Sequence, residues 1–186
     1  MHPPRLRWGD FPDVLIHAAE SAVKQHPAYA AAKNGDAAAA LELIGATFDP
    51  DLPIRLRQIV ARGSPMLVSA HAYEREGVNA IPEALADIMG ETLGWPVDKG
   101  VVQINVVAHT GADGFSRFAR QAAFDGPIIA GADYVMVDDF VGMGGTLANL
   151  RGHIESHAGR VLAAVALTSK PYSAQLRLTN EQLEHN

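Results

Sequence analysis

The run Val135-Met136-Val137-Asp138-Asp139-Phe140-Val141-Gly142-Met143-Gly144-Gly145-Thr146 constrains this chain more than any other part of it. Its apolar start predicts a buried strand over residues 134–137, with two aspartates at the carboxyl end of that strand. The glycine-rich turn then opens a helix predicted over residues 145–157. Ligands of open parallel sheets bind at the carboxyl ends of the strands. Glycines let the backbone approach an anion closely, and a helix start offers free N–H groups with a favourable dipole. A phosphate is therefore expected at this turn, with the Thr146 hydroxyl as a further donor. Two adjacent carboxylates would repel it unless they face something else, such as sugar hydroxyls or a divalent cation. A phosphorylated sugar with free hydroxyls beside its phosphate satisfies both demands. Other phosphate motifs fit worse. A Walker A loop needs lysine where Gly145 stands, and no GxGxxG is present. The plainer alternative is a solvated acidic strand end followed by an ordinary glycine turn.

The flanking pattern alternates strand and helix from Met66 onward. Residues 66–70 (MLVSA), 101–108 (VVQINVVA) and 161–167 (VLAAVAL) read as further strands, and Pro82 sits in the first turn of a helix running to Leu93. Alternation of this kind implies parallel pairing in a three-layer α/β domain with right-handed crossovers. Before it, residues 10–62 are alanine-rich and read as helical without a strand. Phe11, Leu15, Ala18, Ala19 and Ala22 recur at helical spacing behind Asp10 and Pro12. A short helix over 27–32 closes at Asn34-Gly35, Asp36 caps a helix over 37–48, residues 49–53 form a turn, and a last helix covers 54–61. The expected organisation is a helical N-terminal extension (1–62), an α/β domain (63–172) and a tail (173–186) read as truncated or disordered.

Composition excludes several classes of function. With 48% hydrophobic and 19% charged residues, 186 residues suffice for a packed core without a metal or disulfide staple. The absence of cysteine removes disulfides, thiolate metal sites and cysteine nucleophiles, and fits a cytoplasmic location. A net charge of -6 argues against a nucleic-acid-binding surface. The opening residues MHPPRLRWGD lack the apolar region of a signal peptide, and no stretch is apolar enough to span a bilayer.

The run from Val135 to Thr146 resembles the signature of type I phosphoribosyltransferases. This resemblance implies that Asp138 and Asp139 address the ribose 2′- and 3′-hydroxyls, with Mg²⁺ held at the pair directly or indirectly. It also implies that Val141, Gly142, Met143, Gly144, Gly145 and Thr146 wrap the 5′-phosphate of phosphoribosyl pyrophosphate. Upstream, residues 67–97 are similar to the competence-associated (ComF-like) branch of the family, on Arg75, Gly77 and Asn79. The loop after this strand contacts pyrophosphate in the family, which assigns Ala70, His71, Ala72 and Tyr73 to the leaving group. Residues 115–124 resemble the arginine-containing excursion, whose Arg117 and Arg120 would neutralise pyrophosphate, with 109–120 as the closing loop. Three positions depart from the pattern. Met143 replaces a usual threonine, Gly142 stands where 6-oxopurine transferases carry an aspartate base, and Glu76 replaces a usual arginine.

The activity implied is transfer of ribose 5-phosphate from phosphoribosyl pyrophosphate to a nitrogen nucleophile, with Mg²⁺ as cofactor and release of pyrophosphate. The departures leave two alternatives open: a sensor that binds this ligand without turnover, and an interaction protein whose site is vestigial. A homodimer is left open; neither membrane nor nucleic acid is expected as a partner. Among the eight histidines, His153 and His157 share a helix face with Glu155 between them, and are read as a solvated flank because no third ligand is placed. His71 and His109 follow strands at the expected site. Trp8 and Trp95 are read as packing residues.

Overall fold

The computed structural model describes residues 6–71, 78–104 and 122–174. Five strands form one sheet: β1 (Leu15–Ala19), β2 (Met66–Ser69), β3 (Val97–Asp98), β6 (Asp133–Val141) and β7 (Arg160–Ser169). Their order is β1-β7-β6-β2-β3, and every pairing is parallel. A separate antiparallel ribbon joins β4 (Val102–Gln103) to β5 (Phe124–Asp125). The helices are α1 (Glu20–Lys24), α2 (Tyr29–Lys33), α3 (Ala37–Thr47), α4 (Leu52–Val60), α5 (Ile81–Leu93) and α6 (Gly145–Ser156).

Strand alternation sorts the core into two layers. Leu67, Val135, Val137, Val165 and Leu167 point to one face, where Leu43 and Ile44 of α3, Leu52 and Leu56 of α4, and Leu85 and Met89 of α5 cover them. Val68, Met136, Ala164 and Ala166 point to the other, against Leu147, Leu150 and Ile154 of α6 and the ring of Trp8. The molecule is thus a three-layer α/β fold with a parallel sheet, as its sequence pattern implies. Trp8 and Trp95 are both buried packing residues, as expected.

Four local readings need correction. Residues 15–19 form a strand, not the body of a helix. Their backbone pairs with β7 from Leu15↔Val165 to Ala19↔Ser169, and the Thr168 hydroxyl donates to the Ala18 carbonyl at 2.7 Å. Pairing with a distant strand overrides the local helical spacing, and only the five residues of α1 turn helical afterwards. The strand expected over 101–108 is reduced, among the described residues, to Val102–Gln103 in the ribbon. Gln103 N–H donates to the His71 carbonyl and Ile104 N–H to Ala123, so these amides are satisfied outside the main sheet. The turn at 49–53 is partly helix, since α4 starts at Leu52 with Pro53 in its first turn. Finally, β6 runs through both aspartates to Val141 instead of ending before them.

Asp36 shows how the sequence sets the helical layer. Its carboxylate accepts the Ala39 N–H at 3.0 Å and caps α3, whose Ala40, Leu43 and Ile44 are buried. Asp36→Ala is expected to lower unfolding free energy by about 1 kcal/mol, measured by urea denaturation. An unchanged midpoint would mean that the cap contributes nothing.

Candidate functional site

The topology itself marks a crevice. The chain passes from β2 through α5 outward to β3, and from β6 through α6 outward to β7 on the opposite side. The winding direction therefore reverses between the neighbouring strands β2 and β6, and a ligand crevice opens at their carboxyl ends. The loops that border it begin at Ala70 and Gly142. Ala70 N–H donates to the Val137 carbonyl at 2.9 Å, which holds the start of the first loop against β6.

On the β6 side, Asp138 and Asp139 are both buried. The Asp139 backbone N–H donates to Asp138 Oδ1 at 2.8 Å. Burial pushes the Asp138 carboxyl well above the usual carboxylate range, and the adjacent Asp139 charge pushes it further; this N–H and Lys33 oppose the shift only in part. Asp139 is held differently, because the Lys33 ammonium donates to its Oδ2 at 2.8 Å. Burial alone would depress Lys33, but the Asp139 carboxylate outweighs it and holds the ammonium above its ordinary pKa. Lys24 stands 4.5 Å over the neighbouring Phe140 ring.

Past Val141 the chain turns through Gly142, Met143 and Gly144 into α6. Gly144 adopts φ 68° at the N-cap, a left-handed conformation natural to glycine, and no side chain caps the helix. The first-turn N–H groups, including those of Gly145 and Thr146, thus have no intrahelical partner. Met143 is 83% exposed at the tip. Val141, Gly142, Met143, Gly144, Gly145 and Thr146 therefore form one continuous rim beside the acid pair.

On the β2 side, the Ser69 hydroxyl lies 2.6 Å from His71 Nδ1, and both residues are buried. Ala70 and His71 flank the crevice. Ala72, Tyr73, Arg75, Glu76, Gly77, His109, Arg117 and Arg120 lie outside the described residues, as does the closing loop expected over 109–120. Asn79 acts locally, its Oδ1 accepting the Ile81 N–H at 3.2 Å at the start of α5.

Three contributors at this edge escaped sequence reading. Lys33 lies 106 residues from the aspartate it binds, so no local pattern could pair them. Ser69 and Lys24 likewise gain meaning only from the sheet. The solvated flank expected for His153 is also corrected. His153 is 3% exposed, and its Nε2–H donates to the Gly126 carbonyl at 3.1 Å; His157, with its ring tilted 4.7 Å away, is the exposed member.

Asp138 Oδ2 and Asp139 Oδ1 remain open to a Mg²⁺ that stays mostly on water and ligand phosphates. The other oxygen of each aspartate is already engaged, and no group of three or more potential ligands occurs among the described residues. Two clefts lie elsewhere. One, of about 410 Å³, opens beside the ends of β1 and β7 among His17, Glu20 and Ser169. The other, of about 510 Å³, lies at the opposite edge of the sheet, among Asp87, Glu91 and Trp95. No helix of the described residues is long and apolar enough to cross a membrane.

No family model matches the chain. It is 37% identical over 179 residues to Protein TraN of Escherichia coli, covering 96% of this chain and 40% of that protein. It is 36% identical over 151 residues to an uncharacterized protein of Haemophilus influenzae, covering 81% of this chain and 34% of that one. The chain thus spans well under half the length of these relatives. Among solved structures it is similar to adenine phosphoribosyltransferase of Rhodothermus marinus, at 16% identity and a TM-score of 0.46 over 86% of this chain and 78% of that one. It is likewise similar to a hypoxanthine phosphoribosyltransferase of Staphylococcus aureus, at 16% identity and a TM-score of 0.44 over 70% and 65% of the two chains.

Proposed function

We propose that the crevice between β2 and β6 binds a ribose 5-phosphate group, and that the chain transfers it from phosphoribosyl pyrophosphate to a nitrogen nucleophile. One observation carries the reading: an acid pair at the carboxyl end of β6 runs straight into an uncapped, glycine-opened helix at the point where the sheet reverses its winding. The helix start suits a dianionic phosphate. The buried carboxyls suit hydroxyl groups, which a carboxylate accepts from and a protonated carboxyl can also donate to. Ribose 5-phosphate carries both kinds of group on one small molecule.

Catalysis in this reading is mainly electrostatic. The bond from C1 to the pyrophosphate oxygen breaks as positive charge develops at C1, and the nucleophile then closes on that carbon. Asp138 and Asp139 fix the ribose and oppose the developing charge. Ala70, His71, Ala72 and Tyr73, with Arg117 and Arg120, take the departing pyrophosphate, on which Mg²⁺ supplies neutralisation when it is bound. Exclusion of water protects the cation from hydrolysis. Membership of the competence-associated branch belongs to the same proposal and rests on Arg75, Gly77 and Asn79.

Isothermal titration of the chain with phosphoribosyl pyrophosphate and Mg²⁺ tests the reading. The parent is expected to bind, and Asp138→Asn/Asp139→Asn to bind about thirtyfold more weakly, since two charge-assisted contacts are lost. No binding by the parent would sink it. Pyrophosphate release across a panel of bases then separates an enzyme from the second reading, a sensor without turnover. Met143 favours the sensor, because its exposed thioether stands where the family has a phosphate-binding hydroxyl.

A further inference from the structure

We propose that Lys33 is the built-in counter-cation of the acid pair, positioning Asp139 for a ribose hydroxyl and letting the site take a sugar phosphate without a divalent metal. This rests on the ribose phosphate reading above and assigns a role to the alanine-rich helices, which that reading leaves without one. The rim Val141 to Thr146 contains no lysine or arginine, and it adjoins two carboxyl groups. A dianionic phosphate arriving there needs positive charge close by.

The fold supplies it from the N-terminal helices. Lys33 is the last residue of α2, a helix end that favours a cation, and its ammonium sits 2.8 Å from Asp139 Oδ2. The Asp139 side chain is 11% exposed and that of Lys33 37%, so the lysine is the more accessible member of the pair. An ammonium has three donors. Asp139 is the one acceptor it meets among the described residues, which leaves donors for an approaching phosphate oxygen. Lys24, near the end of α1, comes to the same stretch of β6 at Phe140. Two successive short helices thus deliver their terminal lysines to the carboxyl end of the acid strand. With Oδ2 occupied, Asp139 keeps Oδ1 for a sugar hydroxyl and does not turn toward the phosphate. A divalent ion drawn to the pair would compete with Lys33 for the charge of Asp139.

Isothermal titration of the full chain with ribose 5-phosphate tests this, first in EDTA and then with Mg²⁺. The parent should bind in EDTA, with little gain from Mg²⁺. Lys33→Met should bind roughly tenfold more weakly in EDTA, the loss of one charged contact, and recover most of that loss with Mg²⁺. Lys33→Arg should stay near the parent in both buffers. A purely structural lysine would not make affinity depend on metal. Lys33→Met matching the parent in EDTA overturns the proposal. So does a parent that binds with Mg²⁺ alone, which needs no variant and holds even if Lys33→Met fails to fold. A parent silent in both buffers overturns the ribose phosphate reading itself.

Discussion

Replacing Gly126 by alanine should destabilise the protein by about 4 kcal/mol, from backbone strain and overpacking together. Gly126 follows β5 with φ +123°, a conformation that residues with a Cβ rarely adopt. An added Cβ would stand 2.1 Å from the Gly100 carbonyl oxygen and 2.9 Å from Val101 Cα. Both neighbours are backbone, so neither can rotate away. The site is also tied from behind, since the Gly126 carbonyl accepts from His153 of α6. Relief would have to open the ribbon or shift α6. Gly63 provides the comparison: its φ is +88°, yet a methyl added there would meet nothing within 4 Å. Gly63→Ala should therefore cost only about 1 kcal/mol, the conformational part. Urea denaturation of both variants separates clash from strain. Equal losses would show that the close approach of residues 100 and 126 is not native.

The second large effect is a dependence on pH carried by His17. Its ring is stacked on Phe48 at 4.5 Å, and its Nδ1 accepts the Asp49 N–H at 3.1 Å, which requires that nitrogen to be unprotonated. Burial lowers its pKa from 6.5 to about 4; Arg55 assists, while the Asp49 carboxylate opposes. The unfolded chain then binds a proton at His17 below pH 6.5 that the folded chain refuses until about pH 4. Stability is therefore lost as pH falls through this window, by about 3 kcal/mol from this group, and is present in full above it. Thermal melts of the parent and of His17→Gln across the window check this. Asp138, with its raised pKa, titrates with the opposite sign, so the difference between the two curves is the informative quantity. Curves that stay parallel would remove His17 as the cause.

What could be read from the sequence was local. The acid pair, the glycine turn and the start of α6 lie within one short run, so residue type and order suffice to place them. α5 was legible for the same reason, with Pro82 in its first turn and Gly94 in a left-handed C-cap. β1 was not legible. Alanine and leucine at helical spacing favour helix, and what makes residues 15–19 a strand is the vacant edge of β7. Nor was the partner of Asp139, because a lysine ending an alanine-rich helix looks like any solvated cation. Two adjacent aspartates read as a strand terminus, yet parallel pairing with β7 on through Phe140↔Thr168 and Val141↔Ser169 carries β6 past them.

The edge position of β1 also bears on how the chain acquires its structure in time. Among the described residues β7 is the one strand that pairs with β1, and Ala18 meets Thr168 across 150 residues of chain. As the polypeptide leaves the ribosome, β1 and the helices that follow it emerge long before the strand that receives them. Closure over so long a loop is slow, because its entropy must be met before any pairing rewards it. Until then, the apolar faces of α3 and α4 await the sheet that covers them. A nascent chain arrested before β7 should consequently be captured by holdase chaperones, and one arrested beyond it should not.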